Sequence, residues 1–328
     1  MKYLRKFNTE AERDAWLGSD NYISPNVVLT EDVVEYNIMP NYLLLPLYIE
    51  AIDECAVGHT NPTTIKYSVD KVTWHSMSNS TPPVLSKGQK LYFLSSSIMT
   101  GGIDGNGKFT TTGKCNIGGN IMSMVWGENF IGKTDFNGWE LCYFRSIFSG
   151  CNVVDASRLK LPAISLGERT YQFMFRDCID LIKAPEELPA TTLGKYCYGG
   201  MFYGCTSLKI APKELPATTL AYGCYSYSDG KIPATRYGMF QNCSSLEVAP
   251  ELPADILVTE AYNGMFRYCS NLKYIKMMAT DISASSSLSN WVQGVAQDGV
   301  FVKNTAATWD TTGGSGIPSG WTVELAES

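Results

Sequence analysis

Met201-Phe202-Tyr203-Gly204-Cys205-Thr206-Ser207-Leu208 is one of five matching segments in a chain of 328 residues. The others begin Ile147-Phe148-Ser149-Gly150-Cys151, Met174-Phe175-Arg176-Asp177-Cys178, Met239-Phe240-Gln241-Asn242-Cys243 and Met265-Phe266-Arg267-Tyr268-Cys269. Their phenylalanines stand 27, 27, 38 and 26 residues apart. Three residues past each Cys come Val154, Leu181, Leu208, Leu246 and Leu272, and Leu-Pro-Ala recurs at Leu161, Leu188, Leu215 and Leu252. Agreement across so many columns marks an internal repeat. One copy is too short to bury its own apolar face, but stacked copies bury Phe, Leu and Met in a single core. The Leu-x-x-Ala-Pro stretch reads as a short strand ended by proline, which cannot donate to a ladder. Successive strands are expected to pair in parallel, about 4.8 Å apart. Tyr196-Cys197-Tyr198-Gly199-Gly200-Met201-Phe202 reads as a helical turn on the opposite side.

These columns resemble the BspA-like leucine-rich repeats of bacterial surface proteins, in which Phe-x-x-Cys-x-x-Leu recurs at each coil. The likeness covers residues 121 to 280. Leu-Pro-Ala-Thr-Thr-Leu at 188–193 and 215–220, with Gly316-Ile317-Pro318-Ser319-Gly320-Trp321-Thr322-Val323, is similar to a sub-type of gut Bacteroides-type anaerobes and their phages. The resemblance implies an adhesin or binding protein with no catalytic residues to carry over.

Thr9-Glu10-Ala11-Glu12 reads as a capping box opening a short helix that runs through Leu17 and ends at Gly18. Pro25–Leu29 and Val33–Asn37 read as extended. This opening resembles segments of phage tail-associated proteins, which implies an attachment role for residues 1–40. Residues 41–118 read as a small β-sandwich-like domain, with strand candidates at Tyr42–Ala51, Thr64–Val69, Lys71–His75, Lys90–Leu94 and Lys108–Thr112. Ser68 to Trp74 reads as a hairpin with Asp70-Lys71 at its turn. Residues 119–280 read as the repeat solenoid, of about five coils. Residues 281–328, with Trp291, Trp309 and Trp321, form the cap that an exposed solenoid end needs. The expected class is mainly β with short helical turns.

The chain carries 26 Lys/Arg against 32 Asp/Glu, a net charge of −6, and neither half is basic. Clustered cations for nucleic acid or an anionic membrane are therefore not expected. No stretch approaches the ~20 apolar residues of a membrane span, and no apolar segment follows the charged start to make a secretory signal.

Gly127-Glu128-Asn129-Phe130-Ile131-Gly132-Lys133-Thr134 matches the phosphate-loop pattern after a strand-like run at 120–126. Bulky Phe130 and Ile131 stand where backbone N–H groups must close on phosphate. The competing expectation places both in the core of a first coil. Five of the ten cysteines occupy the repeat column and there is no Cys-x-x-Cys, so reduced structural cysteines are expected rather than zinc ligands. The only histidines, His59 and His75, read as surface residues. Ile103-Asp104-Gly105-Asn106-Gly107-Lys108 reads as a glycine-rich turn, since it lacks the distant glutamate of a calcium loop. No cofactor, metal or enzymatic activity is expected.

Two features exceed what a stack requires. An insertion of 11 residues between the third and fourth copies carries Tyr227, Asp229, Lys231 and Arg236, flanked by Tyr222, Tyr225 and Tyr237. Insertions in repeat proteins fall on one face, often the binding face, although a tolerated surface loop accounts for it equally well. The second is an outward strand column, Asp155, Ile182, Lys209, Glu247 and Lys273, which a cross-strand charge ladder also explains. All of these except Ile182 are the candidate ligand-binding residues. The leading expectation is a non-catalytic receptor-binding protein of a phage tail or similar particle. It would be extracellular, recognise a surface protein or glycan, and contact other virion or cell-surface proteins through residues 1–40. A homo-oligomer is compatible with this reading. The alternative is a secreted or surface-anchored bacterial adhesin.

Overall fold

The computed structural model describes residues 3–5, 28–30, 33–36, 44–62, 64–78, 80–95, 107–136, 142–229 and 235–327. The architecture is mainly β, with one short helix among the described residues. β1 (Tyr3–Arg5), β2 (Val28–Thr30) and β3 (Val33–Tyr36) form an antiparallel sheet in the order β1-β3-β2. The helix expected from Thr9 to Leu17 lies outside the described residues.

The next strands are β4 (Tyr48–Ala51), β5 (Cys55–His59), β6 (Ile65–Ser68), β7 (His75–Ser76), β8 (Val84–Leu85), β9 (Lys90–Ser95), β10 (Phe109–Thr111) and β11 (Cys115–Asn120). Helix α1 (Ser123–Trp126) and strand β12 (Val153–Lys160) follow. One sheet runs β12-β11-β4-β9-β6-β7 and a second runs β10-β5-β8. β4 occupies only the end of the expected Tyr42–Ala51 strand. The expected Lys71–His75 strand is instead a loop, and pairing resumes only at His75. Asp70 fixes that loop, its Oδ1 accepting from the amides of Val72 and Thr73 at 2.8 Å each. These bonds hold its carboxyl well below the usual carboxylate range. β5, β8 and β11 carry no strong alternation and were not legible as strands.

β11 crosses the expected boundary at residues 118/119. It pairs antiparallel with β4 on one side and parallel with β12 on the other. From β12 onward each copy hangs on the one before. Parallel bridges link Asp155 to Lys183, Lys183 to Ile210, Glu214 to Glu251, and Val248 to Tyr274. The insertion adds β13 (Ser226–Ser228) and β14 (Arg236–Gly238), and the far end adds β15 (Tyr274–Met277), β16 (Val300–Lys303) and β17 (Thr322–Leu325), in parallel.

The runs expected to be helical turns are not helical. Alternate residues take positive φ: Cys142, Phe144 and Ser146 in one copy, Arg169, Tyr171 and Phe173 in the next. This alternation turns every second amide out of the coil toward its neighbour. Phe148 N donates to Met174 O at 3.0 Å, Phe175 to Met201 at 2.8 Å, Phe202 to Met239 at 2.8 Å, Phe240 to Met265 at 2.9 Å and Phe266 to Trp291 at 2.7 Å. The residue ahead of each Cys is left-handed throughout: Gly150, Asp177, Gly204, Asn242 and Tyr268. Gly, Asn and Asp bear that conformation at least cost.

The phenylalanine rings stack along the same direction. Phe109, Phe148, Phe175, Phe202, Phe240 and Phe266 follow one another at 5.2–5.6 Å between centroids. A second column of Phe144, Tyr171, Tyr198, Tyr225 and Tyr262 runs beside it at 5.6–6.1 Å. Buried Trp291 closes both columns, 6.0 Å from Phe266 and 6.3 Å from Tyr262, and its indole N–H donates to Gly316 O at 2.8 Å.

The repeat cysteines are free and buried. Each carbonyl of the Phe column has two lone pairs to satisfy. Phe175 O accepts the Cys178 amide at 3.1 Å and the Cys205 thiol of the next copy at 3.0 Å. Cys151, Cys178, Cys243 and Cys269 make the same bond to the Phe ahead at 3.0–3.1 Å. A side chain here must be small, tolerant of burial and able to donate once, which describes a thiol.

Truncating Phe202 to Ala opens a cavity in the middle of the stack, and should cost about 3–5 kcal/mol of unfolding free energy in a urea titration. Burial pushes the Cys151 and Cys269 thiols up to about 12. The folded state thus holds these protons more tightly than the unfolded chain. Stability is therefore fully present below the free-thiol pKa near ~8.5 and should fall progressively toward pH 12, as read by chemical denaturation across that window.

Candidate ligand-binding surface

The insertion between the third and fourth copies folds as an antiparallel hairpin. Tyr227 of β13 pairs with Tyr237 of β14, flanked by Ser226 with Gly238 and Ser228 with Arg236. Asp229 does structural work at its tip, accepting the Thr235 amide at 2.9 Å. Lys231 lies outside the described residues. Arg236 donates to Glu260 at 2.7 Å, which ties the hairpin to the next copy.

The hairpin rests on aromatic residues of earlier copies. Phe173 meets Tyr227 and Tyr237 edge-on, at 5.4 and 5.1 Å. Tyr196 meets Tyr222 and Tyr227 at 5.4 Å each, and Tyr203 meets Tyr237 at 5.2 Å. Two cations cover the cluster. The Arg176 guanidinium stands 5.2 Å from Phe173, 5.2 Å from Tyr237 and 5.5 Å from Tyr203. Lys195 stands 5.1 Å from both Tyr196 and Tyr222. Edge-to-face pairs and ring-borne cations are each worth about 0.5–1.5 kcal/mol, so the surface is set before any ligand arrives. Burial and a hydrogen bond to Tyr222 raise the Tyr196 phenol well above its usual range, keeping it protonated. Tyr222 is exposed, while Tyr203, Tyr227 and Tyr237 are half-buried and reach solvent at one end. Such side chains offer amphipathic contact area with little rotamer entropy left to lose.

The structure thus unites Tyr222, Tyr227 and Tyr237 of the expected residues. Tyr225 does not join them. It is buried in the second ring column, 5.8 Å from Tyr198 and 5.6 Å from Tyr262. Phe173, Arg176, Lys195, Tyr196 and Tyr203 were not legible as partners, because the fold brings them from 26 to 64 positions away along the chain. One signal does mark the place. Ahead of the motif Met, three copies have Gly200, Gly238 and Gly264, and one has Phe173. A Cβ at Gly200 would run into the Phe173 ring, so that ring lies over the next copy's glycine.

The strand column needs a correction of register. The first copy is one residue shorter after its Cys, so Val153 fills the buried position that Leu181 fills in the next. Asp155 therefore stands beside Lys183, not Ile182, and bonds its ammonium at 3.0 Å. Lys209, Glu247 and Lys273 are exposed, and their charged ends make no ion pair among the described residues.

The phosphate-loop match is built differently from a phosphate cradle. The motif begins where α1 ends, so no helix N-terminus faces it, and Lys133 lies 4.1 Å over the Trp126 ring. Phe130 is buried as the core reading expected, but Ile131 is about half exposed. His59 is not a surface residue. It is buried against Phe109 at 4.9 Å, and burial lowers its pKa to about 4, so it is neutral at pH 7. His75 is exposed. Among the described residues no group of His, Cys, Asp and Glu is placed to hold a metal, and no helix is long and apolar enough to cross a membrane.

No family model, curated protein or solved structure matches the chain.

Arg236→Ala would strip the buried Glu260 carboxylate of its cation. It should lower unfolding free energy by about 1–3 kcal/mol, while Tyr222→Ala on the exposed rim should stay within about 0.5 kcal/mol in the same urea titration.

Proposed function

We propose that the chain is a non-catalytic receptor-binding protein built on a leucine-rich-type solenoid of about five coils. A small two-sheet β domain precedes the solenoid, a C-terminal cap follows it, and recognition falls to the inserted hairpin. One observation carries this reading: the aromatic and cationic surface formed by Tyr203, Tyr222, Tyr227 and Tyr237 with Arg176 and Lys195, laid over the buried rings of Phe173 and Tyr196. Stacking alone does not need it, since the other copies pass from Tyr to Met without an insertion. Aromatic residues and arginine dominate the energetics of recognition surfaces, and a rigid platform keeps most of the contact energy it gains.

The setting we infer is extracellular, in a phage tail or similar particle, with residues 1–40 as the attachment segment. The thiol column suits an oxidising exterior, because buried, protonated thiols are poor nucleophiles.

Fluorescently labelled full-length protein, offered to intact gut bacterial strains and in parallel to host mucin and matrix proteins, tests the reading. Binding restricted to particular strains is expected, and Tyr227→Ala/Tyr237→Ala should weaken it at least about thirtyfold, the loss of one contact residue of hot-spot size at about 2 kcal/mol. Binding to host material alone would instead make the protein a bacterial adhesin, and binding unchanged by the double variant would move the site off the hairpin.

A further inference from the structure

A polar hollow of about 360 Å³ opens on the six-stranded sheet, between β4, β11, β12 and the turn joining β8 to β9. Tyr48, Glu50, Lys87, Asn116, Asp155 and Arg158 bring their polar groups to it. It is separate from the tyrosine surface and involves none of its residues.

The hollow is built by a break in strand register. Asn116 of β11 faces Asp155 of β12, and Gly118 faces Arg158, so two steps on β11 span three on β12. In a regular strand, residues 155 and 158 would point to opposite faces. The irregularity turns both toward the hollow, as bulges do where a side chain must be re-aimed. Gly118 has a matching reason. A Cβ there would run into the Tyr48 hydroxyl, which stands beside the Arg158 side chain. Asp155 is anchored, accepting from the Ser157 amide at 2.8 Å and from Lys183 at 3.0 Å. Burial pushes its carboxyl up, but these bonds outweigh burial and keep it ionised. Asn116 lines the hollow half-buried, and its amide has no hydrogen-bond partner among the described residues.

The lining therefore sets an anchored carboxylate and the Arg158 guanidinium beside an amide whose donors and acceptors are free. Glu50 and Asp155 are already paired, with Lys90 at 3.9 Å and Lys183 at 3.0 Å, so a ligand meets them as hydrogen-bond acceptors rather than as free charges. Carboxylate, amide and guanidinium are planar groups that each engage two neighbouring oxygens, the arrangement offered by vicinal hydroxyls. The volume lies at the small end of the about 300–1,000 Å³ of ligand pockets. We propose that this hollow binds one or two rings of a neutral sugar through Asn116, Asp155 and Arg158. A free sugar and the end of a longer glycan share this chemistry.

Saturation-transfer NMR on the full chain tests it, with glucose, galactose, mannose and N-acetylglucosamine as probes and N-acetylneuraminate and ethanolamine as charged comparators. Transfer to at least one neutral sugar is expected. Asn116→Ala, which removes no internal bond and should leave the melting temperature unchanged, should weaken its titrated affinity about tenfold or more, as loss of a paired amide does. Tyr227→Ala/Tyr237→Ala should leave it intact, which separates failure here from failure of the hairpin reading. Absence of transfer to all four neutral sugars, transfer confined to the charged comparators, or affinity unchanged in Asn116→Ala would overturn the proposal. A disaccharide that binds more tightly than its monomer would support it with a glycan end as the source.

Discussion

The amide of each motif phenylalanine, donated to a carbonyl of the following copy, is the contact on which the rest depends. It repeats from Phe148 to Met174 through to Phe266 and Trp291, always in one direction. A coil of about 27 residues cannot pay its ordering entropy from internal contacts. The repeated bond fixes the spacing between coils, and the spacing lets the rings of the Phe column lie face to face. The same geometry leaves a carbonyl lone pair on each Phe, which the next copy's Cys thiol takes up. Amide, ring and thiol are thus three consequences of one backbone alternation, and removing any one weakens the others.

A directional stack has two unlike ends, and the chain treats them differently. At the start the copies grow out of a sheet, through the parallel pairing of β11 with β12 and the contact of Phe109 with Phe148. At the finish Trp291 stands where a further motif phenylalanine would and spans both ring columns, with Phe301 edge-on to it at 6.2 Å. The three-stranded parallel sheet of β15, β16 and β17 then continues the strand side.

Both proposed binding places arise where the repeat departs from itself. The hairpin occupies the one long interval between phenylalanines, over the one copy with Phe173 in place of glycine. The polar hollow sits where β12 slips register against β11 while changing from a sheet strand into the first copy. Each departure collects side chains that a regular repeat would keep apart.

The sequence by itself determined the repeat, the columns that fill its core, the free structural cysteines, the insertion and the tryptophan-bearing end. Those follow from identity and spacing, because a side chain that recurs at one period must meet its own counterpart. It also marked Tyr222, Tyr227 and Tyr237. Tertiary structure alone decided the rest. The turn runs look helical by composition, but inter-coil bonding imposes alternating φ on residues such as Phe144 and Tyr171, a demand made by neighbours and invisible within one copy. Tyr225 sits three positions from Tyr222 and differs from it only in pointing along a ring column. Asp155 changed partner because the first copy lacks one residue, and a gap has no side chain to announce it. Phe173 and Arg176 joined the tyrosines because stacking places residues of different copies side by side, and that adjacency comes from three-dimensional spacing rather than from any local pattern.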